Sequence, residues 1–173
     1  MITASSETNC CRTKPPIIDN EPPTDRNPRL ADGSCESVAQ PCDKCQRQGR
    51  PVSRKTVLLM LKPDFIEQAM HGNYRFCAVP DCPVVYFDEE GNQQFTTDDL
   101  RVRVGVKATE DPVPLCYCFG FDESHIRNDL ARTGTTTIPK TIFQLIREGL
   151  CACESRNPSG MCCLGEVNRI SSF

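Results

Sequence analysis

The sequence predicts an α+β fold in two small halves, the first β-hairpin and helix, the second a helical hairpin. Two observations point there. Short β-branched and aromatic runs bounded by turn residues mark residues 74–107, whereas helical spacing of apolar residues takes over after Phe121. Cysteines number thirteen in 173 residues, and ten of them fall in five close pairs: Cys42-x2-Cys45, Cys77-x4-Cys82, Cys116-x-Cys118, Cys151-x-Cys153 and Cys162–Cys163. The first half has few large apolar side chains, so a metal staple is needed to hold it.

Each element follows from local chemistry. Residues 1–40 hold five prolines and no aromatic residue, too little apolar surface to offset ordering entropy, and are expected to be a disordered tail carrying Cys10, Cys11 and Cys35. Structure should begin near Cys42. Ser53 can cap a helix from Arg54 to Leu61, with Val57, Leu58, Met60 and Leu61 facing a core. Lys62-Pro63 ends it, because a residue before proline disfavours the α region. Tyr74–Cys77 and Cys82–Phe87 read as strands around a turn at Pro80 and Asp81, and Arg101–Lys107 alternates apolar and polar like a third strand.

A linker from Glu110 to Pro114 then divides residues 41–109 from residues 110–173. Asp122 can cap a helix bearing Ile126 and Leu130, which Gly134 and the threonines 135–137 break. Thr137 caps the next helix, with Pro139 in the first turn, a stripe of Ile142, Leu145 and Ile146, and Gly149 at its close.

Composition narrows the function. Net charge is −3 and two residues are histidine, in separate segments, so neither a strong nucleic-acid footprint nor a histidine-built catalytic site is expected. No apolar run nears the ~18 residues that span a bilayer, and Met1–Pro15 lacks the apolar core of a secretory signal. An odd number of paired cysteines without such a signal favours metal thiolates over disulfides, and with them a cytoplasmic, reducing compartment.

Cys42, Cys45, Cys77 and Cys82 form two pairs that can close a tetrahedral, structural zinc site; a single iron is the rival for the same ligands. Six more cysteines flank the helical hairpin: Cys116, Cys118, Cys151, Cys153, Cys162 and Cys163. A Cys-x-Cys pair, a hairpin and further cysteines is similar to the layout of bacterioferritin-associated ferredoxin-type (BFD-like) [2Fe–2S] domains, a second zinc or a copper thiolate being the alternative.

Cys82-Pro-Val-Val-Tyr-Phe87, the run Arg101–Lys107, Cys116-Tyr-Cys118 and Asn157-Pro-Ser-Gly-Met-Cys-Cys163 together resemble the N-terminal domain of archaeal-type CopZ copper chaperones, from Cys42 to about Val167. The resemblance implies one zinc and one [2Fe–2S] cluster. It places zinc on Cys42, Cys45, Cys77 and Cys82, and the cluster on Cys116, Cys118, Cys153 and one of the vicinal pair, Cys163 before Cys162. Cys151 is the alternate to Cys153. It further implies electron transfer or redox handling linked to copper, such as reduction of Cu(II) to Cu(I), with a redox or copper-handling protein as partner. Thiols left over can take Cu(I), which soft donors select. The full-length family adds a Met-x-Cys-x-x-Cys domain that is not found in this sequence, so copper delivery by that module is not expected of it.

No nucleophile–base pair or phosphate loop marks an enzyme, and neither nucleic acid nor membrane is an expected partner. The rival class is a non-redox two-zinc adaptor or metal store. His71 and His125 read as surface residues. Arg47, Arg50, Arg54 and Lys55 read as a solvated or docking face, and Glu89–Glu90 and Asp98–Asp99 as solubilising pairs.

Overall fold

An antiparallel sheet in the order β1-β2-β3-β4 organises the first half. Its strands are β1 (Arg50–Val52), β2 (Tyr74–Phe76), β3 (Val84–Asp88) and β4 (Gln94–Thr96). The computed structural model describes residues 40–172; the tail expected over 1–40 lies outside them but for its last residue, as do Cys10, Cys11 and Cys35. Strands β2 and β3 are the two read from the sequence. Strand β1 sits at the edge, where Pro51 costs no ladder bond, and all of β3 is buried.

Helix α1 (Arg54–Met60) packs on this sheet. The Ser53 hydroxyl accepts from the Lys55 N–H at 3.2 Å, and Leu61 ends the helix in extended conformation. Val57, Met60 and Leu61 join Tyr74, Phe76, Val85, Tyr86, Phe95 and Leu100 in one core, with Leu58 half-buried against it.

Arg101–Lys107 is not a strand. It lies beside no ladder, and Gly105–Lys107 turns into a 3-10 helix. The turn is forced by close approach: a Cβ on Gly105 would sit 2.0 Å from the Pro114 carbonyl oxygen. The Gly105 N–H donates to the Tyr117 hydroxyl at 2.8 Å, and that hydroxyl donates to Arg103 O at 3.1 Å. Alternation survives only in Val102 and Val104, which reach the core, while Val106 is exposed.

The linker is pinned rather than loose. Arg103 donates to the carbonyls of Glu110 and Asp111, and Arg127 pairs with the Asp111 carboxylate. Beyond it, β5 (Pro114–Cys116) pairs with β6 (Phe121–Asp122), and four helices follow: α2 (Glu123–Thr133), α3 (Ile138–Arg147), α4 (Cys153–Arg156) and α5 (Leu164–Ser171). The Asp122 carboxylate accepts from the His125 N–H, and Gly134 ends α2 in left-handed conformation. At α3 the expected cap shifts by one residue. Thr137 makes no side-chain cap bond, and the Thr136 hydroxyl accepts from the Ile138 N–H instead. Ile126, Ile138, Ile142 and Val167 centre a second core that includes Cys116, Cys153 and Cys163.

Two carboxylate pairs do more than solubilise. Asp99 accepts from both the N–H and the hydroxyl of Thr96, capping a 3-10 turn, and Glu89 pairs with Arg75 at 3.0 Å. His71 and His125 are exposed, as are Arg47, Arg50, Arg54 and Lys55.

Candidate metal centres

Cys42 and Cys45 sit in one turn. The Cys42 carbonyl accepts from the Gln46 N–H at 2.7 Å, and the Cys42 N–H donates to Arg47 O at 3.0 Å. Gln46 closes this turn with φ 57°, the one non-glycine residue of positive φ among the described residues. Cys77 directly follows β2, its N–H donating to Val85 O, and Cys82 precedes β3 after the Pro80–Asp81 turn.

These two turns aim four sulfurs at one point. Cys42 and Cys82 Sγ are 3.8 Å apart, Cys45 and Cys77 Sγ 3.6 Å, and all four lie within 4.8 Å of one another. A tetrahedral ion with bonds of about 2.3 Å requires sulfur separations of roughly 3.8 Å. Among the described residues this is the one group of cysteine, histidine and acidic side chains closed so tightly. Val84 and Phe87 roof it.

The electrostatics suit a bound cation. Burial pushes the Cys42 thiol up and Cys77 up to about 12. Burial also acts upward on Cys45, but the Arg47 N–H and the Cys77, Cys42 and Cys82 thiols outweigh it and hold Cys45 below the ordinary thiol range. The Lys107 ammonium donates to the carbonyls of Val79 and Cys82, at 2.8 Å each, and its charge favours the Cys77 thiolate. Alternation in the sequence puts Lys107 on the polar face of an expected strand and gives no sign of this contact. No local pattern pairs it with a turn 25 residues away.

Five of the six other cysteines among the described residues converge at the second core. Cys116 ends β5, and its sulfur takes N–H bonds from Cys118 and Phe119. The Cys118 sulfur accepts from the Ala152 N–H at 3.3 Å and lies 3.8 Å from that of Cys153, the first residue of α4. Cys163, at the N-terminus of α5, brings its thiol beside those of Cys116 and Cys153. Cys151 adds a contact to Cys153 from outside. Cys163 is buried, whereas Cys162 is exposed.

This set is the more open of the two: no three of its sulfurs close within the 4.8 Å of the first quartet. The neighbouring Cys163 thiol lowers Cys116 to about 7 and Cys153 to about 5, while Cys163 itself is pushed up. Burial pushes Cys118 up to about 11.

An α+β domain with one tetrahedral thiol pocket and a second thiol cluster is a cysteine-rich metal-binding domain. The CopZ-type family described as a zinc binding domain matches residues 39–101. The copper chaperone CopZ of Archaeoglobus fulgidus is 31% identical over 130 residues, which are 75% of this chain and 60% of that protein. The X-ray structure of the N-terminal domain of Archaeoglobus fulgidus CopZ aligns with a TM-score of 0.63 at 31% identity, covering 75% of this chain and 96% of that one. The chain belongs to the family of CopZ-type N-terminal zinc-binding domains. It spans 60% of the length of the chaperone it matches. No helix among the described residues is long and apolar enough to cross a membrane.

Proposed function

We propose that this protein carries two metal centres, a structural zinc and a [2Fe–2S] cluster, and handles copper without being an enzyme in the ordinary sense. Zinc is held by Cys42, Cys45, Cys77 and Cys82, in the half spanning residues 41–109. The cluster is held by Cys116, Cys118, Cys153 and Cys163, in the BFD-like half spanning 110–173. The observation that carries the reading is the difference in shape between the two thiol sets. One closes around a single point; the other gathers four thiols without closing on one point, leaving room for more than one ion. The copper part rests on the relationship to a copper chaperone.

A cluster held by these four cysteines would supply one-electron chemistry, such as reduction of Cu(II) to Cu(I), with a redox partner protein in the cytoplasm as the source of the electron. Cu(I) then suits the soft thiols of the chain and of a copper-handling partner. The N–H groups of Cys118, Phe119 and Ala152 on cluster sulfurs stabilise thiolate charge and tune the potential.

Ligand variants test it. Cys116→Ser or Cys118→Ser abolishes the visible absorption of the cluster and leaves zinc bound at the wild-type level. Full absorption in both variants contradicts the ligand assignment.

A further inference from the structure

The loop that carries Cys153 and Cys163 is gripped by the other half of the molecule. The Thr56 hydroxyl, on α1, donates to the carbonyl of Glu154, the residue after Cys153. The Tyr86 hydroxyl, on β3, donates to the carbonyl of Pro158 at 2.7 Å, midway between the two cysteines. Both side chains are fully buried, and so is Pro158. The loop also closes on this half at Gly160, where a Cβ would sit 3.5 Å from Val52 and 3.8 Å from the Thr56 hydroxyl. Helix α1 packs along α4.

Both gripping residues stand on elements tied to the first thiol quartet. Tyr86 lies four residues past Cys82, on the strand whose Val85 carbonyl accepts from the Cys77 N–H. Thr56 lies on the helix that follows β1, itself paired to β2 and hence to Cys77. Closing a metal at Cys42, Cys45, Cys77 and Cys82 fixes β2 and β3, and with them the Tyr86 hydroxyl.

We propose that Thr56 and Tyr86 are positioning residues for the second centre: they hold the 153–163 loop against the zinc half, so that zinc occupancy sets the spacing of Cys153 and Cys163. The inference rests on the two-centre reading above. Neither residue touches a metal-binding sulfur in this scheme. Tyr86 satisfies the carbonyl of the fully buried Pro158, and a buried carbonyl left without a donor is a costly state for a polar group. Linkage makes the effect reciprocal, each centre favouring the other by the same factor.

The test compares four holo-proteins: wild type, Tyr86→Phe, Thr56→Val and Thr56→Ser, the last keeping the hydroxyl. Zinc content is expected to be equal in all four. Loss of visible cluster absorption under an iron chelator is expected to run about five-fold faster in Tyr86→Phe and Thr56→Val, and at the wild-type rate in Thr56→Ser. Amide exchange across 153–163 rises in the same two variants while exchange in β2 and β3 stays unchanged. Equal decay and equal exchange in all four overturn the proposal. A wild-type protein without iron sinks the two-centre reading instead, and the exchange measurement on the zinc-loaded chain then decides the grip by itself. If Tyr86→Phe does not fold, the Thr56 pair decides.

Discussion

Lys107 shows how much one side chain does for the first thiol pocket. Its ammonium bridges the two carbonyls that flank the Cys82 turn, and its charge offsets the thiolates behind them. Hydrogen bonds to a charged group are worth about 1.5–3 kcal/mol, and Lys107 is half-buried. Lys107→Met should therefore weaken zinc binding roughly ten-fold, measured by competition with a chromophoric chelator. The pocket also fixes the sign of pH dependence. Burial holds Cys42 and Cys77 protonated in the neutral range, the latter up to about 12, so zinc must displace their protons. Zinc affinity should climb as pH rises through neutrality, and proton release on binding should be visible in buffers of different ionisation enthalpy. At this scale the cysteines were legible because their spacing is local. Lys107, Thr56 and Tyr86 were not, since each acts on residues at least 25 positions away.

Elements with strong periodicity and good caps read well. Helices α1 and α2 start at the expected Ser53 and Asp122, and the β2–β3 pair surrounds the expected turn. Three-residue strands such as β1 and β4 carry too few positions for alternation to register, and α4 is a four-residue helix. Helix α5 has Leu164, Val167 and Ile170 at helical spacing, but it begins directly on the cysteine pair. Arg101–Lys107 misled because its alternation is real, while close approach at Gly105 denies it a ladder. Asp122→Ala should cost about 1 kcal/mol of stability. Burial acts upward on the Asp122 carboxyl, but bonds from Ser124 and His125 outweigh it and hold it below the ordinary carboxylate range. The cap is thus fully present above that range and lost as pH falls through the lowered value. Denaturant melts of wild type and Asp122→Ala should converge in strong acid. At the start of α5, burial separates the vicinal pair. Cys163→Ser should remove the cluster's visible absorption, and Cys162→Ser should retain it, because Cys162 is exposed.

At the scale of the whole molecule, the boundary near the 110–114 linker divides two cores but not two independent bodies. The described residues fall within one compact unit, and Tyr86 and Thr56 reach across to the second cysteine loop. The cysteine pairs announced two thiol sets in the sequence, and the structure brings each together from segments more than 30 residues apart. That one set closes on a single point and the other does not was not legible, because it depends on how the hairpin, α4 and α5 stack. The central claim is that the two sets hold different metals. Metal and acid-labile sulfide analysis with a visible spectrum, on protein purified without air, tests it most directly. The account predicts about one zinc, two iron and two sulfide per chain and a coloured protein. Two zincs per chain in a colourless protein would contradict it.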